Sequence, residues 1–370
     1  MTVDATGPAV RRFPLVARPR PTSGPLPVRV ADLSARAEAA DRDNDLAGAS
    51  SVFNLAALIA SDCGLPDLAR QWCHDHAALH LRALPRGAQV ARHALEPLVN
   101  LARLHIRGGN GEQAFRLLDS LYRAVASRTS AVIDGIDVPG DLTATDADHR
   151  QLRQWLWSVH LSDGTRALTS LGRWQGAHRH VLLHRGVGDL MLDGRQTAVI
   201  AQATGGDVPA AVTLIDTTLP GEPWQAAVTA CLRVLCTSGS TPASEHVDTM
   251  FGLYKEVVRT PATAPFHTRL GLCMIDAAGG VDHRDARAVA LGLIEHAMAD
   301  RDVITIRDVM AHDGCVSRLR PDQARDLVAA LDASELGRGS IPSALYVALT
   351  SALSTSAAVL GRLLDSTDRT

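Results

Sequence analysis

From Val30 onward the apolar residues recur with the period of an amphipathic helix, first in VADLSARAEAADR and then through DLAGASSVFNLAALIASDCG. The stretch FNLAALIASDCGLPDLA, residues 53–69, reads as helix, short break, helix, and similar segments follow one another along the chain. Two regions depart from this pattern. Residues 1–28 are rich in proline and arginine and carry no apolar period. Each proline removes an amide donor and biases its predecessor away from helix, so a disordered Pro/Arg-rich arm is expected. Residues 129–149, TSAVIDGIDVPGDLTATDADH, mix β-branched residues, glycine, proline and acids, and read as an insertion loop with room for one short strand.

Helical segments form a repeat only if the same residue classes fall at the same offsets. Four stretches between residues 46 and 217 meet that condition: Ala57, Gly64 and Ala69; Ala102, Gly109 and Ala114; Thr165, Gly172 and Ala177; Ala198, Gly205 and Ala210. In each, a glycine lies seven residues after a small residue, and a second small residue lies twelve after it. Antiparallel helices approach closely where small side chains cross. A glycine at the end of the first helix can take the left-handed conformation of a C-cap. Each triplet therefore encodes one helical hairpin.

The pattern resembles the tetratricopeptide repeat, and the resemblance implies an all-α fold, an α-solenoid of antiparallel hairpins stacked into a superhelix. Ala198 follows Thr165 by 33 residues, close to the repeat's period of about 34. The other two intervals, 45 and 63 residues, must hold additional helix or loop. Aromatic residues are scarcer than in the repeat's full signature: Phe53 matches its early aromatic, whereas Leu98, Leu161 and Gly194 stand at the corresponding places. The expected organisation is the arm at 1–28, TPR-like repeats over 29–217 with the insertion at 129–149, and degenerate helical repeats over 218–370. That last region closes on capping helices near SALYVALTSALSTSAAVLGRLL.

Composition supports the helical class and removes several functions. Apolar residues make up 46% of the chain but aromatics only 4%, a balance of Ala, Leu and Val that suits close-packed helices better than a sandwich or barrel. Lys255 is the only lysine among many arginines, a skew of actinobacterial type. It excludes a Walker A motif, and its helical context, MFGLYKEVVR, reads as a solvated face. A formal net charge of −3 without like-charge blocks gives no footprint for nucleic acid or a membrane surface. Six cysteines without a CxxC spacing read as reduced, buried thiols. RRFPLV is followed by prolines and arginines rather than an apolar export core, and no window is expected to span a bilayer, so a soluble, cytoplasmic protein is expected.

The chain has no GxSxG, GxGxxG, HExxH or zinc-spaced cysteine pair, and no cofactor or metal is expected. His180 and His184 share a helix face without a nearby carboxylate, and within CHDH at 73–76 Cys73 occupies the slot that is Leu118, Val181 and Leu214 in the other hairpins. The resemblance implies that the first helix of each hairpin lines a concave face. Offsets of minus three, plus one and plus five from the first small residue place Asn54, Arg103, Arg107, Arg166 and Arg195 on it. These five are the candidate partner-binding residues, and the recurring guanidinium groups suit an acidic peptide or protein segment. The expected function is a non-catalytic scaffold, with self-association open because stacked hairpins have apolar end faces. The rival is an accessory protein or enzyme of specialised metabolism, with a site near Asp134, Asp137, Asp141, Asp146 and Asp148 of the insertion.

Overall fold

The computed structural model describes residues 3–20, 23–237 and 244–366. The protein is all-α, 72% helical. In chain order the helices are α1 (Leu26–Asp43), α2 (Leu46–Asp62), α3 (Pro66–Leu81), α4 (Ala88–Arg107), α5 (Gly111–Ser127), α6 (Asp146–Thr169), α7 (Trp174–Leu183), α8 (Asp193–Thr204) and α9 (Val208–Asp216). There follow α10 (Pro223–Thr237), α11 (Ser244–Lys255), α12 (Ala264–Ala277), α13 (Arg284–Asp300), α14 (Val303–Met310), α15 (Asp313–Val316), α16 (Pro321–Ala333) and α17 (Ser343–Ser366). Between α5 and α6, β1 (Ala131–Ile133) and β2 (Ile136–Val138) pair as an antiparallel hairpin. The insertion is therefore a two-stranded hairpin rather than a loop with one strand. Asp134 and Gly135 both take positive φ in its two-residue turn, as the twist of such hairpins requires.

The chain divides into two compact units, and each is discontinuous in sequence. The first unit is Pro25–Ala167 with Ala333–Thr370; the second is Met1–Gly24 with Leu168–Asp332. In the first, α1 to α5 pack sequentially, and α17 returns to lie on α1, α2 and α3. The C-terminal helix thus covers the start of the helix series rather than capping its end. The turn 336–339 docks on the C-terminus of α2, with Gly337 N–H on the Asp62 carbonyl (2.8 Å) and Gly339 N–H on that of Cys63 (2.7 Å). The core of this unit runs from Leu26 through Leu98 and Leu121 to Leu360.

Two expectations are corrected here. Residues 3–20 are not a structureless arm: Val10, Phe13 and Leu15 are buried in the core of the second unit, with Val10–Arg12 forming one 3-10 turn. A proline-rich segment cannot organise itself by helix periodicity, so its order comes from tertiary anchors described below. The second correction concerns α17, which over Ser343–Asp365 holds an 18-residue window of mean hydropathy 1.5 and is long and apolar enough to cross a membrane. Only Arg362 and Asp365 are charged in that span, and its many Ala, Ser and Thr residues kept it from reading as a run of large apolar residues. In this fold it is packed on three helices.

The hairpin code is visible in the backbone. Gly64, Gly109 and Gly172 have φ of 80°, 78° and 68°. In each case the amide after the glycine bonds the carbonyl four residues before it: Leu65 to Ala60 (2.9 Å), Asn110 to His105 (2.8 Å) and Arg173 to Leu168 (3.1 Å). This six-to-one bond is the Schellman closure, which satisfies a helix-end carbonyl through a left-handed residue. The flanking small residues are buried, from Ala57 and Ala69 to Thr165 and Ala177. The fourth hairpin departs by one residue. Gly205 has φ −78°, and Gly206, at φ 92°, is the left-handed residue, with Asp207 N–H on the Gln202 carbonyl. Ala211 rather than Ala210 is the fully buried small residue. Counted from the turn, the fourth triplet is therefore Val199, Gly206 and Ala211.

Candidate functional site

One side of α2, α4 and α6 in the first unit carries a continuous polar chain. Asn54 on α2 donates through Nδ2 to Glu96 Oε2 (3.3 Å), and its Oδ1 accepts from Asn100 Nδ2 (2.8 Å). Asn100 Oδ1 accepts from Arg103 Nη1 (3.3 Å), and Arg103 points Nε and Nη2 at Asp163 Oδ2 on α6 (3.0 and 2.9 Å). One turn along α4, Arg107 meets Asp62 Oδ1 (2.8 Å) and Ser61 Oγ (3.2 Å), while Arg29 takes Asp62 Oδ2 (2.7 Å). The carboxylates are sunk and the guanidinium groups are not: the side chains of Asp163 and Asp62 are 8% and 7% exposed, against 52% and 43% for Arg103 and Arg107. Both arginines are thus held in place from below and present cationic edges to solvent. Asn54, Arg103 and Arg107 come together here, and Arg166 is exposed on α6.

Beneath Asn54 the wall is made of buried histidines. Phe53 stacks on His76 (centroids 5.0 Å apart), His76 meets His80 edge-on (5.1 Å), and Ser50 Oγ bonds His80 Nε2 (2.9 Å). Burial, with the nearby His80 and His93, drives His76 well below the usual histidine range. Burial and then His93 bring His80 down to about 4. Burial raises the Glu96 carboxyl, but the hydrogen bond and charge of His93, with Arg92 and Asn54, outweigh it and leave the group lowered. The imidazoles of His76 and His80 are therefore neutral, close to one ionised carboxylate.

Arg195, the fifth expected residue, belongs to the second unit and is not on such a face. It is 5% exposed, and its guanidinium bonds the carbonyls of Leu214 and Gly188 and the hydroxyls of Thr217 and Thr218. It closes the C-terminal end of α9. The one-residue shift of the fourth hairpin explains the miss, because one residue rotates a position by about 100° around the helix. The residue that precedes the left-handed glycine by ten, as Asn54 precedes Gly64, is Gln196. Gln196 is fully buried and grips a non-helical stretch of main chain: its Oε1 accepts from Leu15 N–H (2.7 Å) and its Nε2 donates to the Leu15 carbonyl (2.7 Å).

The acidic residues of the insertion disperse. Asp134 turns inward to Arg70 Nη2 (2.8 Å), with Nε2 of His74 and of His105 each 3.8 Å from one of its oxygens. Asp146 pairs with Arg128, whose hydrogen bond lowers its carboxyl, and Asp148 accepts from Thr145 Oγ1 and from Ala88 N–H at the start of α4. Asp137 and Asp141 are exposed. His180 and His184 meet edge-on with centroids 4.7 Å apart. All six cysteines are free and buried.

No protein-family model, curated protein or solved structure matches the chain.

Proposed function

We propose that the protein is a TPR-like array of helical hairpins serving as a binding scaffold, and that the α2–α4–α6 face of the first unit holds a non-helical, acidic segment of a partner protein. The observation that carries this reading is the hold of Gln196 on Leu15. A side-chain amide offers one donor edge and one acceptor edge, which match the N–H and C=O of one residue in a chain without its own ladder. Asn54 stands at the equivalent position of the first hairpin, with Asn100 beside it and the guanidinium groups of Arg103 and Arg107 following along the same face. The amides would read backbone and the exposed guanidinium edges would take carboxylates. The solenoid reading is supported by the shared turn closure and by the corrected spacing of Thr165 and Val199, which is 34 residues.

Site-specific photo-crosslinking tests the proposal. A crosslinker at Asn100 or Arg103 should give one dominant protein adduct in an extract of the native cells, displaced by excess synthetic peptide from the crosslinked segment. The same group at Gln71 on α3 or Arg123 on α5 should not give it. Equal labelling from all four positions would count against a recognition face.

A further inference from the structure

The segment 3–20 is bound to the second unit as a ligand is bound. It makes no β-ladder and contributes only one short helical turn. Besides main-chain bonds at its two ends, from Val3 to the Ala203 carbonyl and from Arg20 to that of Ala262, its recognition comes from side chains of the helices: the Gln196 amide on both polar groups of Leu15, the Trp174 indole N–H on the Ala5 carbonyl (3.4 Å), and ion pairs at two points. Arg12 Nε reaches Asp276 Oδ2 (3.3 Å), itself braced through Oδ1 by His312 (3.0 Å), and Arg18 pairs with Asp193. Between the two arginines, Phe13 and Leu15 are 4% and 3% exposed. Buried apolar anchors flanked by charge pairs, with an amide holding main chain, are the parts of a peptide-recognition groove.

We propose that the face built by α8 and α12 is a peptide-binding site, filled in cis by residues 3–20. In trans it takes a segment of the same chemistry: arginine, a large apolar residue, proline, leucine, and an arginine three residues beyond. This rests on the reading that side-chain amides on these hairpins recognise main chain, but it is probed through different residues from Asn54 and Asn100, so either can fail alone. The tethered copy competes with any incoming segment at an effective concentration on the order of millimolar, so the site is self-occluded until a stronger or more abundant segment displaces its own terminus.

The probe is a fluorescent synthetic peptide of residues 3–20, titrated by anisotropy against the chain lacking residues 1–22 and against the intact chain. Saturable binding to the shortened chain is expected, at least about tenfold tighter than to the intact chain because the tethered copy competes. Gln196→Leu in the shortened chain should weaken it about tenfold further. A shortened chain that keeps its helical circular dichroism and cooperative melting but binds no peptide would overturn the proposal. So would equal binding to both chains, or indifference to Gln196→Leu. If the shortened chain does not fold, the intact chain with a protease site between Arg20 and Ser23 takes its place. After cleavage the labelled peptide should exchange into the site within a day, and retention of the original segment against excess peptide would refute exchange.

Discussion

Replacing Gly64 and Gly109 separately by alanine measures how firmly the turn 336–339 is docked on α2 within the first unit. Both glycines end helices in the left-handed region, at φ 80° and 78°. Alanine there costs about 1–2 kcal/mol from Cβ crowding, offset by about 0.4–1 kcal/mol because the unfolded chain loses freedom too. Around Gly109 an added Cβ meets nothing within 4 Å. Gly109→Ala should therefore cost about 1 kcal/mol. At Gly64 the added Cβ would lie 3.2 Å from the carbonyl carbon and oxygen of Gly337 and from the nitrogen of Gly339. Those atoms are backbone and cannot rotate away, so the turn 336–339 must shift and its two hydrogen bonds to Asp62 and Cys63 must weaken. At about 1 kcal/mol for each bond, Gly64→Ala should cost about 2–3 kcal/mol. Urea unfolding followed by circular dichroism resolves such a difference, and the corresponding melting shifts are about 2–4 °C per kcal/mol for a unit of this size. Equal losses for the two variants, or a larger one at Gly109, would refute the docking of 336–339 on α2.

Further outcomes follow from the same contacts. Because burial depresses His76 and His80, the latter to about 4 from an ordinary 6.5, the unfolded chain binds more protons than the folded one between those values. Stability of the first unit should then be fully present above pH 6.5 and fall progressively toward pH 4, with lowered Glu96 adding to the loss below about 4.5. Denaturant midpoints across that range check this, and His80→Asn should flatten the slope. Arg195→Ala removes a buried side chain together with its bonds to the carbonyls of Leu214 and Gly188 and should destabilise the second unit by about 1–2 kcal/mol in thermal melts. Native protein should leave all six thiols unreactive toward a thiol-exchange reagent, with Cys63 raised to about 11 and Cys73 to about 12 by burial, and release six on denaturation.

The helical class, the hairpin turns and much of the polar face were legible because each rests on local chemistry. Gly64, Gly109 and Gly172 suit helix ends that close through a left-handed residue, whatever packs on them, although Arg128 and Arg185 make the same closure after α5 and α7. The same closure also occurs at Asn44, between Ala37 and Ala49, and at Gly279, where Asp45 and Gly280 donate to Ala40 and Ile275. Asparagine in place of glycine hid the first. The second was hidden because Leu272 and Arg284 occupy the positions where small residues were sought. Gly205 and Gly206 are adjacent, and spacing alone does not distinguish which one turns the chain, so the sequence pattern points to Arg195 in place of Gln196. What stayed out of reach was long-range: Asp163 beneath Arg103, α17 returning to α1, and Leu15 lying on Gln196, contacts between residues far apart in the chain with no periodic signature.

The central claim is that amides on the inner helix positions hold a partner's main chain, and the decisive measurement is affinity for the crosslinked partner segment with both first-unit amides removed. Asn54→Leu with Asn100→Leu should weaken binding of that synthetic segment at least about tenfold in isothermal titration, with the melting temperature within a few degrees of the parent. Unchanged affinity in a folded double variant would contradict the account.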